Sequence, residues 1–256
     1  MVSHTSSLTF KSITDIHKSG KSYNQSIDRL ATGKRIDKGS DNSAALTVVK
    51  QQEADYVSLK MALNNITDGM NFVNSGEQSL GHISGLIDKM YDYALQSAQS
   101  TYSDEQRQNI LNEDFKALAA EIERTATSAS FRGVSILNNT DTNFRIHVGY
   151  RATSDDRISI DMTELQATTS VLGTLKGSTS LAAVASTGIT TEQTARDALD
   201  VLKIAREEIL EKRHFIAENY KKLESQMGNL LERKAASEQS ISRIQDADYA
   251  AETSEA

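Results

Sequence analysis

The side chains best equipped for chemistry in this chain are five histidines, at positions 4, 17, 82, 147 and 214, and pairs of adjacent carboxylates such as Glu207 with Glu208 and Asp155 with Asp156. Histidines hold a catalytic metal when two stand one helical turn apart with a carboxylate beside them, and none of the five lies in an H-E-x-x-H pattern. Adjacent carboxylates act as general acid and base when they flank a reacting group; here they read more simply as solvated charge. The glycine patterns that cradle phosphates or raise a nucleophilic serine, G-x-x-x-x-G-K-S/T, G-x-G-x-x-G and G-x-S-x-G, are absent. With no cysteine there is no disulfide, no thiolate ligand and no thiol nucleophile. Asp55 and Arg213 stand at positions that should be buried, yet polar residues there more often fix register and partner choice. Sequons at Asn24, Asn65 and Asn138 fit chance for this composition. The residues point to no catalytic centre, no cofactor and no metal.

What the chain does carry is periodicity. From Leu199 to Asp248, steps of three and four give Leu199, Leu202, Arg206, Ile209, Arg213, Ile216, Tyr220, Leu223, Met227, Leu230, Lys234, Ser237, Ile241, Ile244 and Asp248. A stripe of that kind keeps one helix face against a partner helix along its length. At about 1.5 Å per residue the stretch is roughly 75 Å long, so its partner must be long as well. Proline, which averages about one residue in twenty, is absent, as suits long uninterrupted helices.

A first amphipathic helix is expected over about Thr5 to Ala31, with a thin stripe of Ile13, Ile16, Gly20, Tyr23, Ile27 and Leu30. That stripe is too weak to stand alone and requires a partner. Gly33 and Gly39 bracket a polar connector. Asp41 is expected to cap the next helix, whose stripe runs Ala45, Val48, Gln52, Asp55, Leu59, Ala62, Ile66, Gly69, Val73, Gly76, Leu80, Ile83, Ile87, Met90 and Ala94, with Val49, Tyr56, Leu63 and Met70 beside it. Ser103 or Asp104 caps a third helix carrying Leu111, Phe115, Leu118 and Ile122. The period then changes to two: Phe144, Ile146, Val148 and Tyr150, then Ile158, Ile160 and Met162, predict a β-hairpin turning through Arg151 to Arg157. Thr163 to Thr191, rich in Thr, Ser, Gly and Ala, reads as a short, weakly structured link.

The fold class is therefore mainly α, an elongated coiled-coil bundle of long helices with a small β-hairpin region. A formal charge of -7 and a pI near 5.3 argue against a nucleic-acid protein. No apolar run approaches the ~20 residues of a membrane span, and no cleavable signal opens the chain.

Several motifs, in order, resemble the bacterial flagellins. Asp28-Arg-Leu-Ala-Thr-Gly-Lys-Arg-Ile36 followed by Ser40-Asp-Asn-Ser-Ala-Ala-Leu46 looks like the family's N-terminal signature, E-R-L-S-S-G-x-R-I-N-x-x-x-D-D-A-A-G-L. Asn64-Asn-Ile-Thr-Asp-Gly-Met70 resembles N-A-x-D-G-I, Phe131-Arg-Gly-Val-Ser-Ile-Leu137 resembles F-N-G-x-x-L-L, and Phe144 to Gly149 resembles an F-x-x-G strand. Ser242-Arg-Ile-Gln-Asp-Ala-Asp-Tyr-Ala250 is close to S-R-I-x-D-A-D-Y-A. Asn42 stands where the family has a second Asp, and Ala45 where it has Gly, which should alter packing at the helix start.

The resemblance implies an inner-core helix and connector at 1–40, bundle helices and hairpin at 41–162, a link at 163–191 in place of variable outer domains, and a long bundle helix at 192–256. It implies a non-enzymatic filament subunit that is exported unfolded through the flagellar secretion apparatus and self-assembles outside the cell. Its other expected partners are an export chaperone and hook-associated and cap proteins, with no nucleic acid or membrane. Self-assembly residues carried over from the motifs are Arg29, Leu30, Gly33, Arg35, Ile36, Asp41, Arg243, Ile244, Asp246, Asp248 and Tyr249. In flagellins the C-terminal motif leads into a helix that pairs with the N-terminal one; that inner helix is expected to be missing here, and these 256 residues alone are expected to form no filaments. Aligning on the shared Gln-Ser-Ala places Lys89, Tyr93 and Asp114 at a face recognised by the vertebrate innate flagellin receptor, with changes expected to weaken that recognition. A hook–filament junction protein is the alternative within the same system. A flagellin carrying a metallopeptidase insert is disfavoured by the short link and the missing H-E-x-x-H.

Overall fold

No proline interrupts the chain, and two helices run to exceptional length: α2 (Gly39–Ser97) has 59 residues and α6 (Glu192–Gln245) has 54. The structure, a computed structural model, describes residues 2–139, 143–149, 153, 156–168, 172 and 179–255. The other elements are α1 (Val2–Thr32), α3 (Asp104–Gln106) continuing through a π-turn (Arg107–Leu111) into α4 (Asn112–Ser128), the strand pairs β1 (Ser130–Phe131) with β2 (Val134–Ser135) and β3 (Asn143–His147) with β4 (Arg157–Asp161), a 3-10 turn (Thr163–Leu165), α5 (Leu181–Thr187) and α7 (Tyr249–Glu255). Two compact units emerge, residues 62–229 and residues 1–61 with 230–256.

The unit 62–229 is built on an apolar interior. Every α2 stripe position from Ala62 to Ala94 is buried. Along α6, Leu202, Ile209, Ile216 and Leu223 are buried at intervals of seven, so one of the two expected stripe positions carries the burial. The other position lies at the edge: Arg206 and Arg213 extend from it to pair with Asp88 at 3.1 Å and Glu77 at 2.6 Å on α2. Small residues let the elements close up. A Cβ on Gly76 would lie 3.0 Å from Ile216 and 3.2 Å from Ile136, and one on Gly69 would collide with Ile146.

Phe72, outside both expected stripes, is fully buried. It stacks on Phe144 of β3 with centroids 4.0 Å apart and meets Phe131 of β1 edge-on at 6.2 Å. Such pairs add about 0.5–1.5 kcal/mol each beyond the area they bury. The predicted hairpin pairs Phe144 with Ile160 and Ile146 with Ile158; Tyr150 and most of the turn lie outside the described residues. The β1–β2 hairpin was not expected. Its two-residue loop, Arg132 (φ 49) and Gly133 (φ 84), has the positive φ pair of a type I′ turn. Arginine is costly there, and its guanidinium makes a bidentate bond to Asp68 at 2.7 and 2.9 Å.

The third helix begins as expected, with a capping box between Ser103 and Gln106, but its continuation is underwound. Arg107, Leu111, Phe115 and Ala119 are all buried at spacing four. An α-helix of 3.6 residues per turn rotates such a series steadily off its face, and one wider turn absorbs the drift. The turn seats Arg107, 6% exposed, at the end of α2, where it donates to the carbonyls of Ser97 at 2.8 Å and Gln99 at 2.7 Å. Those carbonyls lack helical partners, and a cation suits the negative end of the helix dipole.

The link expected at Thr163 to Thr191 is corrected where it is described. Ser180 caps α5, whose Leu181 and Val184 are buried, and Ile189 behind them is fully buried. Ile189 is held by both backbone groups: Asn112 Oδ1 accepts from its N–H at 3.0 Å, and Ser97 Oγ donates to its carbonyl at 2.7 Å. Gly188 (φ 76) makes this approach possible, since a Cβ there would collide with Asn112.

In the unit 1–61 with 230–256, burial is sparse. Ile36, Val49, Leu59 and Leu230 are its buried large apolar residues among those described. On α2 the expected roles of Val48 and Val49 are exchanged, Val48 being 49% exposed.

Candidate functional site

Two of the family-like motifs, 28–41 and 242–250, meet in one joint. α1 ends where Gly33 takes a left-handed φ of 70, its N–H donating to the Arg29 carbonyl at 2.8 Å. This is a glycine helix stop. α6 ends at Gln245, so the stripe predicted to run on to Asp248 stops short. The two broken ends bind each other through backbone: Gln245 O accepts from Arg35 N at 2.6 Å and Ile36 N at 3.3 Å, and Ala247 N donates to Gly33 O at 3.0 Å. Lys34 and Asp246 form an isolated antiparallel bridge. Arg35 adds a guanidinium bond to the Ile244 carbonyl at 2.9 Å, and the Ile36 side chain is buried.

Beyond the break, Asp248 Oδ1 accepts from Ala250 N at 3.0 Å and Ala251 N at 3.3 Å, capping α7. α7 packs on α1. Tyr249 donates its hydroxyl to the Leu30 carbonyl at 3.1 Å, and Arg29 Nη1 bonds Glu252 Oε1 at 2.9 Å. Against the expectation that α1 has no pairing helix in this chain, the seven-residue α7 lies on it. Arg243 is exposed on the last turn of α6.

Asp41 is placed differently from the expectation. Asn42 interrupts the start of α2 with extended backbone (φ -165, ψ 101) and caps the long helix itself, its Oδ1 accepting from Ala45 N at 3.0 Å. Asp41 closes the connector instead, accepting from Lys38 N at 3.0 Å and Asp37 N at 3.1 Å. These backbone donors, Lys38 first, hold its carboxyl below the usual carboxylate range. The Lys38 ammonium, bonded to Asp28 at 3.1 Å, is held above its ordinary value by that bond.

A second feature of the same unit is the uncovered stripe of α1. Phe10 is 73% exposed, Ile16 71%, Ile13 54%, Tyr23 50% and Ile27 43%. The three residues aligned with a receptor face lie on α2 and α4, Lys89 and Asp114 exposed and Tyr93 half-buried. Sequence reasoning missed Glu252 and Arg107, both charged and buried; a lone charge in a polar stretch gives no periodic signal. Among the described residues no three His, Asp or Glu side chains gather as metal ligands. No described helix is long and apolar enough to cross a membrane.

Residues 4–142 match the family model described as the bacterial flagellin N-terminal helical region. A flagellin of Listeria innocua is 26% identical over 254 residues, covering 98% of this chain and 88% of the relative. The crystal structure of Bacillus cereus flagellin superposes with a TM-score of 0.52 at 23% identity, over 65% of this chain and 88% of that one. A flagellar hook-associated protein from Vibrio parahaemolyticus superposes with a TM-score of 0.67 at 14% identity, over 80% of this chain and all of the other, a likeness of fold alone. The helices, the order of the motifs and the match over more than half the chain converge: the chain belongs to the bacterial flagellin family, the structural subunits of the flagellar filament.

Proposed function

We propose that this flagellin polymerises through the uncovered stripe of α1, with the joint between α1, the connector and α7 holding that helix in place. The observation that carries the reading is the exposure of five large apolar side chains, Phe10, Ile13, Ile16, Tyr23 and Ile27, on one helix. A stripe of that kind in a folded chain marks a surface that a partner covers, and identical subunits meeting head to tail generate a helical polymer. Segment 1–40 with α7 then forms the inner layer of the filament, and the bundle helices the layer outside it. The chain acts without catalysis and without a cofactor. It reaches the cell exterior unfolded through the flagellar secretion apparatus, with an export chaperone before export and hook-associated and cap proteins at the filament ends. The test is Ile16→Asp in the full chain, expressed in a motile host lacking its own flagellin. Against the expectation drawn from the resemblance, the parent chain should form filaments in that host and the variant should be secreted without them; filaments of ordinary length from the variant, or none from the parent, overturn the reading.

The exposed pair Lys89 and Asp114 with Tyr93 support a narrower proposal, weakened recognition by the vertebrate innate receptor. Lysine lacks the planar fork that lets arginine bond two acceptors. In a receptor reporter assay, combined Lys89→Arg, Tyr93→Leu and Asp114→Glu should raise the response; an equal response from the parent chain contradicts it.

A further inference from the structure

α7 is held against α1 without an apolar key. Among its side chains at 249–254, Glu252 alone is buried, 7% exposed, and Tyr249 is 57% exposed. The α1 surface it meets offers buried Ser26 and half-buried Arg29 and Leu30. The backbone clasp, where Ala247 N donates to Gly33 O, fixes one point. Tyr249, in the first turn of α7, adds its hydroxyl bond to the Leu30 carbonyl at 3.1 Å; both ties lie at the same end of the helix, and its far end is free to swing about them.

A second point lies farther along α7. Glu252 Oε1 accepts from Arg29 Nη1 at 2.9 Å, and Glu252 Oε2 is buried with no hydrogen-bond partner among the described residues. The carboxylate therefore depends on one guanidinium, and a buried charge without a partner carries a large desolvation cost. One turn to either side of Arg29, α1 and its stop offer Gln25 and Gly33, neither charged. A slip of α7 by one turn along α1 would bring Glu252 to one of these uncharged positions and leave its carboxylate without the Arg29 guanidinium. Two fixed points define an axis, and the second is a charge pair.

We propose that Arg29 and Glu252 are a positioning pair that sets the direction in which α7 lies along α1. Such pairs add little net stability, because desolvation offsets the attraction, and act by penalising the alternatives. The inference goes beyond the polymerisation reading, and its test needs no filament.

The chain has no native cysteine, so Ser22→Cys on α1 and Ser254→Cys on α7, both exposed, give unique sites for spin labels. Pulsed EPR on the full chain should return one narrow distance distribution. Glu252→Gln, which keeps size and hydrogen-bonding atoms but removes the charge, and Arg29→Gln should each broaden it by at least about twofold. Exchanging the pair, Arg29→Glu with Glu252→Arg, should narrow it again, which a merely structural role in packing would not do. A narrow distribution in Glu252→Gln, or a broad one in the parent or in the exchanged pair, overturns the proposal.

Discussion

The two units of this chain use the same kind of helix for opposite ends. In the unit 62–229, burial is mainly apolar: Phe72, Leu80, Ile87, Met90, Phe115, Ile122, Leu202 and Ile209 are fully buried, and the buried Arg107 and Asn112 bond to backbone. In the unit 1–61 with 230–256, the contacts that organise the chain are backbone bonds and charge pairs, and the large apolar side chains of α1 face outward. The first is finished as a monomer. On the proposed reading the second is organised for a surface it does not itself supply, which makes its low burial a property of function rather than a defect of folding.

If that contrast is right, cutting the apolar interior should have the largest effect on the monomer. Leu223 is fully buried mid-stripe, and Leu223→Ala should cost about 2–5 kcal/mol in chemical denaturation. Gly188→Ala forces a Cβ into Asn112 Oδ1 at a left-handed φ and should cost about 1–3 kcal/mol, lowering protection from hydrogen exchange first around Ile189. Effects in the other unit should be smaller. Asn42→Ala removes the cap of α2 and should cost about 1 kcal/mol. Asp41, whose carboxyl is held low in the folded chain, contributes stability above the ordinary carboxylate pKa that is lost as pH falls through the lowered value. Asp41→Asn should remove that acid-side slope, lowering stability at neutral and alkaline pH while leaving it little changed in acid. Lys222→Ala, on the exposed face beside Leu223, should change stability by less than about 0.5 kcal/mol, and equal losses at 222 and 223 would refute the faces assigned to α6.

Periodicity made the long helices legible, because a buried face must recur every three to four residues whatever its partner. It could not say which of two adjacent columns is buried: Val48 and Val49, or the arginine and leucine positions of α6, are equivalent to a pattern of steps. The arrangement around Ile189 escaped for another reason. Ser97, Asn112 and Gly188 lie far apart in the chain and are brought together by folding, and Thr, Ser and Gly between 163 and 191 look locally like a link. Of the joint, the motifs supplied the residues but not their partners. Asp41 next to Asn42 offered two candidate caps, and only the backbone turn at Asn42 decides between them. Glu252, a single charge with no periodic companion, was invisible.

The account rests on the uncovered stripe of α1 being the surface that polymerisation covers. Hydrogen exchange of residues 10–27, read in the free subunit and again in assembled filaments, measures this directly. The account predicts exchange in the free subunit close to that of a fraying helix, slowed by at least about 100-fold in the filament, with the amides of Ile66 to Met90 slow in both states. Protection of residues 10–27 that is already high in the free subunit, or that fails to rise on assembly, would contradict it.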